Sequence, residues 1–96
     1  MFIRLGPSAA QHSSGFIVKR TGRYVLHYEE NQHTLEVDVE DGRTMQAEYF
    51  VTIYKDSIKT WLPPFENDVI SSEEKQRIIN NIRDAEAFMN VKTDVA

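Results

Sequence analysis

Three histidines, His12, His27 and His33, are the side chains in this 96-residue sequence best suited to metal binding or proton transfer. A zinc or other transition-metal site needs two or more such ligands close together, usually with a carboxylate beside them. His27 comes nearest to this arrangement, because the strand pairing deduced below places it opposite Glu36. No third ligand is evident, so a cross-strand polar pair is the favoured interpretation. We therefore predict no metal and no other cofactor.

Motifs for nucleophilic catalysis or phosphate binding are missing. The sequence has no cysteine, which excludes disulfides, thiolate metal sites and a cysteine nucleophile. No serine lies in a G-x-S-x-G pattern. The four glycines, at positions 6, 15, 22 and 42, are scattered and form no phosphate-binding loop. Acidic residues are numerous, but no pair of them stands out. The sequence thus predicts no catalytic residues and no enzymatic activity.

Composition and charge limit the classes of partner. The length predicts one domain over residues 1–96. The net charge of −4, from 15 acidic and 11 basic residues, argues against nucleic acid as the main partner and mildly favours a basic protein. The segment Met1–Pro7 is too short and interrupted to be a signal peptide. No apolar run approaches the ~20 residues that span a bilayer. We expect a cytoplasmic protein that does not associate with membranes.

Two segments of alternating polarity predict a β-hairpin at the centre of the chain. Segment 23–30 and segment 33–40 alternate between apolar and polar residues, as half-buried antiparallel strands do. Asn31 and Gln32 between them form a two-residue loop. The predicted inner pairs are Tyr28 with Leu35, Leu26 with Val37 and Tyr24 with Val39, and the predicted outer pairs are His27 with Glu36 and Arg23 with Glu40.

The flanking segments complete an α+β prediction. Strands are expected at 2–5, from residue 16, at 45–54 and at 57–62, with a loop over 6–15 and a three-residue turn at 41–43. The odd length of this turn should place the apolar stripe of segment 45–54 inside, which includes Met45, Val51 and Ile53. Ser71 and Glu74 have capping-box spacing and should open a helix. Its apolar stripe would lie on the sheet and consists of Ile78, Ile79, Ile82, Ala85 and Met89. The prediction is an antiparallel meander of five to six strands with one C-terminal helix packed on it, and with frayed last residues.

Two features could bind a partner. Glu36, Asp38 and Glu40 should project from one face at intervals of about 6.7 Å, twice the rise per residue, with Glu29 beside them. Such a row either attracts a basic partner or is a solvated face neutralised by Arg23 and Arg43. Separately, Trp61, next to a proline pair, either anchors a partner or packs beneath the helix as core.

The segment from Tyr54 to Phe65, followed by an acidic loop and by the helix opening at residues 70–79, resembles the immunity protein 74 family of bacterial polymorphic-toxin and contact-dependent growth inhibition systems. The shared pattern is a strand reading Tyr-x-Asp-Ser-Ile-x-x-Trp, one or two prolines, and a final helix rich in Glu and Arg. The resemblance covers about the last half of the chain, and residues 1–18 have no counterpart in it.

The resemblance implies a cytosolic antidote that binds the toxic C-terminal domain of a delivered effector and blocks its active site or substrate groove. A nuclease toxin would have a basic groove, which suits an acidic inhibitor. We expect the protein to be a monomer or a weak homodimer. The alternative function is a generic interaction module, such as a secretion chaperone or a regulatory subunit. The candidate partner-binding residues are Glu29, Glu36, Asp38, Glu40, Trp61, Glu66 and Asp68.

Overall fold

One curled, seven-stranded sheet and one long helix make up the computed structural model, which describes all of residues 1–96. The elements are β1 (Phe2–Gly6), β2 (Ala9–His12), β3 (Ile17–Gly22), β4 (Val25–Glu30), β5 (His33–Arg43), β6 (Tyr49–Ile53), α1 (Ser72–Phe88) and β7 (Lys92–Val95). The strands lie in chain order across the sheet. All neighbours are antiparallel except β6 and β7, which are parallel. The predicted α+β class is confirmed, with more strands than expected and with one of them after the helix.

The central hairpin has the predicted register. Leu26 lies opposite Val37, and His27 lies opposite Glu36. The loop residues Asn31 and Gln32 have φ angles of 48° and 67°. A two-residue hairpin needs these left-handed angles to match the twist of its strands.

One residue of this hairpin departs from the prediction. Strand β4 begins at Val25, and Tyr24 lies in the preceding turn with 57% of its surface exposed, so it does not face the core. Its carbonyl still accepts a hydrogen bond from the Val39 N–H at 3.0 Å. The predicted pair of Arg23 with Glu40 does not form, because β4 begins only at Val25 and Glu40 pairs with Thr52 of β6 instead.

The segment predicted as a loop, 6–15, contains strand β2. Ala10 in this strand lies opposite Val18 of β3 and is fully buried. The loop prediction was wrong for residues 9–12, because the low strand propensity of Ala9 and Ala10 hides this strand in the local sequence. The pairing of β2 with strands on both sides determines its conformation instead.

Hairpins β1–β2 and β3–β4 close in the same way. In the first, the Arg4 guanidinium donates to the carbonyl oxygens of Gly6 and Pro7 at 3.2 and 2.8 Å. In the second, that of Arg20 donates to the carbonyls of residues 22 and 23 at 3.0 and 2.7 Å. Each first strand has a register shift between its arginine and its glycine. The two hairpins share only Arg-x-Gly in sequence, so they show no visible sequence repeat.

Strand β5 continues through the predicted turn at 41–43, and the chain reverses at residues 44–48 instead. This five-residue loop is odd in length, as the predicted three-residue loop was. Val51 and Ile53 therefore face inward as expected. Met45, predicted to be inside, is fully exposed. Strand β5 can continue because the Phe50 ring covers Gly42, where a Cβ atom would lie 2.5 Å from that ring.

The predicted strand at 57–62 does not form. Lys55–Ser57 makes a single 3₁₀ turn, after which Ile58 and Trp61 turn into the core. Two hydrogen bonds hold this segment beside β5: the Leu62 N–H donates to the Thr34 carbonyl at 2.8 Å, and the Asp38 N–H donates to the Ser57 hydroxyl at 2.9 Å.

Helix α1 begins as predicted, with the Ser71 hydroxyl accepting the Glu74 N–H at 3.1 Å. It ends where Asn90, with a φ of 64°, reverses the chain into β7. The residues after the helix were expected to fray, but they pair with β6.

Helix α1 covers one face of the sheet, here called the inner face. A cluster of 15 buried residues fills the space between them, including Tyr28, Leu35 and Val37 from the sheet and Ile78 and Ile82 from the helix. The opposite, outer face has no such cover.

Replacing Gln32 by glycine should stabilise the protein. The left-handed conformation of Gln32 costs an L-residue about 1 kcal/mol that glycine does not incur. We expect a gain of about 0.5–1 kcal/mol in the free energy of unfolding, measured by urea denaturation. Gln11→Gly, within strand β2, is the matched control and should destabilise the protein. A Gln32→Gly protein no more stable than the wild type would contradict this account of the turn.

Candidate functional site

The acidic row, which we define as Glu36, Asp38 and Glu40 of β5, lies exposed on the outer face. Their neighbours on the strand, Leu35, Val37 and Val39, are buried on the inner face, so the alternation of β5 turns all three carboxylates outward.

No lysine or arginine of the chain pairs with the acidic row. The His27 Nε2 lies 3.9 Å from the Glu36 carboxylate, as the predicted cross-strand pair requires. The Tyr54 hydroxyl donates to Glu40 at 3.2 Å, and the Asp38 carboxylate has no partner. Arg23 lies over the Tyr24 ring, and Arg43 donates to the Ala47 carbonyl, so neither arginine contacts the row.

Glu29 lies on the same face but is neutralised within the chain. Its Oε2 is shielded from solvent and lies 2.9 Å from the Lys19 Nζ. The angle of approach makes this contact an ion pair rather than a hydrogen bond. Glu29 therefore contributes less to the field of the outer face than the acidic row does.

Trp61 and Asp68 meet at His33, which forms with them and Phe65 a group we call the His33 cluster. The imidazole stacks on the Phe65 ring at 3.7 Å and meets the Trp61 ring edge-on at 5.1 Å. Its Nε2 lies 2.8 Å from the Asp68 carboxylate, and its Nδ1 lies 2.8 Å from the Asn31 carbonyl. Both ring nitrogens thus face acceptors, which favours the doubly protonated imidazolium.

The His33 cluster fastens the loop over residues 63–70 to the end of the central hairpin. Asp68, and then the Asn31 carbonyl, raise the pKa of His33 above its ordinary value. Trp61 is only 5% exposed and belongs to the core. It therefore packs inside the protein, as the second of the two interpretations of this residue has it. Glu66, on the same loop, is exposed and forms no ion pair. Sequence periodicity could not find this cluster, because His33 and Asp68 are 35 residues apart.

The Asp68→Asn substitution should lower the pKa of His33, followed by NMR titration of its ring protons. The pKa of His33 is raised in the folded protein, so its contact with Asp68 stabilises the fold fully below the ordinary His pKa of 6.5. This stabilisation is lost as the pH rises through the folded-state pKa of His33. The stability difference between wild type and Asp68→Asn should shrink over that window. Glu66→Gln, on the same loop, is the control and should leave the titration unchanged. An unchanged midpoint in Asp68→Asn would show that the ion pair does not form in solution.

A cleft of about 260 Å³ opens at the end of the sheet where the two arginine-closed hairpins turn. Arg20 pairs there with Asp41 at 2.9 Å, and the Tyr49 hydroxyl donates to the same carboxylate oxygen at 2.7 Å. Glu86 of α1 also lines the cleft; it is only 6% exposed and has neither a hydrogen bond nor an ion pair. The Arg4 and Arg20 guanidinium groups, which also line the cleft, donate to turn carbonyls and not to Glu86.

Burial raises the pKa of Glu86, with only partial compensation from Arg20. Sequence analysis overlooked this residue, although a signal was present. Glu86 follows Ile78 and Ile82 at four-residue intervals, which places it on the buried side of the helix.

Glu86→Gln should therefore stabilise the protein at neutral pH by about 1 kcal/mol, since it removes an unpaired buried charge. The pKa of Glu86 in the folded protein is raised above its ordinary value of 4.5. The wild-type protein therefore loses stability as the pH rises from about 4.5 through the folded-state pKa of Glu86. The advantage of the variant should vanish at acidic pH, as measured by urea denaturation across pH. Asp84→Asn, exposed on the same helix, serves as the control. A variant without any gain at neutral pH would mean that Glu86 is paired in solution.

No group of three His, Asp or Glu side chains converges in a way that could hold a metal ion. No helix has the length and apolar character needed to cross a membrane.

These features define a class: an α+β protein with one sheet face covered by a helix and the other uncovered, with a row of exposed carboxylates on it. The chain belongs to the immunity protein 74 family, whose model matches residues 10–96. The match extends further towards the N-terminus than the resemblance, which left residues 1–18 without a counterpart. Comparisons with curated proteins and with solved structures found no match. As a member of this family the chain is an immunity protein, a class that binds a cognate toxin.

Proposed function

We propose that this chain neutralises the toxic C-terminal domain of an effector delivered between bacteria by a polymorphic-toxin or contact-dependent inhibition system. It acts in the cytosol of the recipient cell, binds the toxin domain one-to-one and blocks its active site or substrate groove. The family supports the immunity role. The observation that carries the proposed mode of binding is the acidic row, three exposed carboxylates without a lysine or arginine partner on the uncovered face of the sheet.

The chemistry of the acidic row selects a basic partner surface. Exposed carboxylates at regular spacing attract cations over roughly the Debye length, about 8–10 Å at physiological salt. This attraction raises the association rate more than it raises the final affinity. A nuclease needs a basic groove to hold the phosphate backbone, so we propose a nuclease as the toxin. The acidic row then occupies the groove in place of phosphates.

The remaining candidate residues have different roles in this proposal. Glu29 lies beside the acidic row but is paired with Lys19, so it borders the interface. Glu66 and Asp68 lie on the loop that the His33 cluster fastens near the start of β5, and Glu66 extends the negative field there. Trp61 supports this loop from the core and does not contact the toxin.

The expected partner is the toxin domain encoded directly upstream of this chain's gene. Titration calorimetry of the two proteins at low and moderate salt should show tight one-to-one binding that weakens with salt. An absence of binding at both salt concentrations would reject the antidote proposal for that partner. The chaperone or regulatory alternative would then become the better hypothesis.

Neutralising the acidic row should weaken the complex. In the triple variant Glu36→Gln, Asp38→Asn, Glu40→Gln, we expect the association rate to fall about 10-fold or more at low salt and its salt dependence to flatten. Stopped-flow mixing measures both. The matched control is Glu73→Gln, Glu74→Gln, Asp84→Asn, which changes the net charge equally but lies on helix α1, on the opposite side of the sheet from the row. If the two triple variants behave alike, the acidic row is not the interface.

A further inference from the structure

Strand β1 leaves one edge of the sheet unpaired. The Met1 carbonyl accepts the Ser13 N–H at 2.9 Å, so the Met1–Ser13 pair is hydrogen-bonded across β1 and β2. Antiparallel pairs alternate between bonded and non-bonded. The backbone N–H and C=O groups of Phe2 and Arg4 therefore point away from β2, toward the free edge. A second strand could pair with them.

This edge is held in place rather than frayed. The Phe2 ring stacks on Phe88 of the helix at 5.3 Å and meets Phe16 edge-on at 5.7 Å. The amino group of Met1 lies 3.0 Å from the Ser13 hydroxyl. A strand fixed in this way does not have to be ordered when another strand pairs with it.

Free sheet edges are usually protected by charged side chains or by a cover over the backbone. Strand β7, at the other edge, has both: Lys92 and Asp94 are exposed, and the Arg83 guanidinium donates to the Thr93 carbonyl at 3.3 Å. Strand β1 has no such cover over its backbone, and its one charged side chain is that of Arg4.

The exposed side chains of β1 are apolar. Met1, Ile3 and Leu5 are 88%, 56% and 50% exposed. The strand's one charged side chain, that of Arg4, is bound to its own turn. The edge therefore combines unpaired backbone groups with an uncharged, apolar stripe.

We propose that β1 pairs with β1 of a second copy of this chain, antiparallel and about a two-fold axis. A register with Ile3 on the axis makes the edge self-complementary. It bonds Phe2 of each copy to Arg4 of the other and brings Met1 against Leu5. It also keeps the two arginines from lying opposite each other. The paired sheets would form one continuous sheet with both acidic rows on the same face.

Five-residue strands bury little area, so the dimer is weak and depends on concentration. Sedimentation velocity on the full chain, from micromolar to millimolar concentration, should show a reversible monomer–dimer equilibrium. Ile3→Lys should abolish the dimer, because it places two ammonium groups on the axis. The matched control, Ile17→Lys, introduces the same charge on the outer face of β3 and should leave the dimer intact.

Hydrogen exchange distinguishes strand pairing from association through the apolar side chains. The amides of Phe2 and Arg4 should become protected as concentration rises, and only in proteins that dimerise. A chain that stays monomeric at all concentrations would overturn the proposal, as would a dimer that persists in Ile3→Lys. Weaker toxin binding by Ile3→Lys, in a chain that is always monomeric, would assign the edge to the toxin instead. The sedimentation and hydrogen-exchange measurements do not require the toxin, so their outcome is independent of the proposed function.

Discussion

The alternation of β5 is the constraint on which the rest of this structure depends. Its apolar residues must be buried against the helix, so its acidic residues must share the opposite face. A one-residue slip in register would bury three carboxylates. The same strand also joins the two parts of the curled sheet, because it pairs with β4 as far as Asp38 and with β6 from Val39 onward. Core, curvature and exposed charge are thus all determined by one strand.

The charge of the outer face comes from where the cations are held rather than from the net charge. Arg4 and Arg20 close turns, Arg77 pairs with Glu30 at 2.9 Å, and Lys92 pairs with Glu48 at 2.9 Å. Each of these cations serves a local structural contact. None of the chain's lysine or arginine side chains is left in contact with the acidic row, although the net charge is only −4.

Sequence patterns predicted the features that depend on neighbouring residues. The register of the central hairpin follows from two alternating segments and a two-residue loop, and the helix start follows from Ser71 and Glu74. The inward direction of Val51 and Ile53 was also correct, because only the parity of the loop length matters for it. The acidic row was visible for the same reason.

Features that depend on distant contacts could not be predicted in this way. Strand β2 contains small residues and forms only because strands on both sides pair with it. Strand β7 is determined by β6, which lies about forty residues earlier in the chain. The His33 cluster likewise needs a loop that the local pattern does not position. Glu86 is an intermediate case. Its four-residue spacing from Ile82 indicates the buried side of the helix, but no sequence pattern indicates the cleft that it lines.

The shared closure of hairpins β1–β2 and β3–β4 has a consequence for how this fold can change in evolution. In each hairpin, an arginine from the first strand donates hydrogen bonds to the carbonyls of the hairpin's own turn. The turn therefore needs no contact from the rest of the protein. The family match begins at Ala10, within the outer of these two hairpins. The N-terminal hairpin can therefore be gained or lost in evolution as a unit, because its turn does not depend on the central core. Relatives are therefore expected to vary most in length at their N-termini, and the helix and the central hairpin should stay constant.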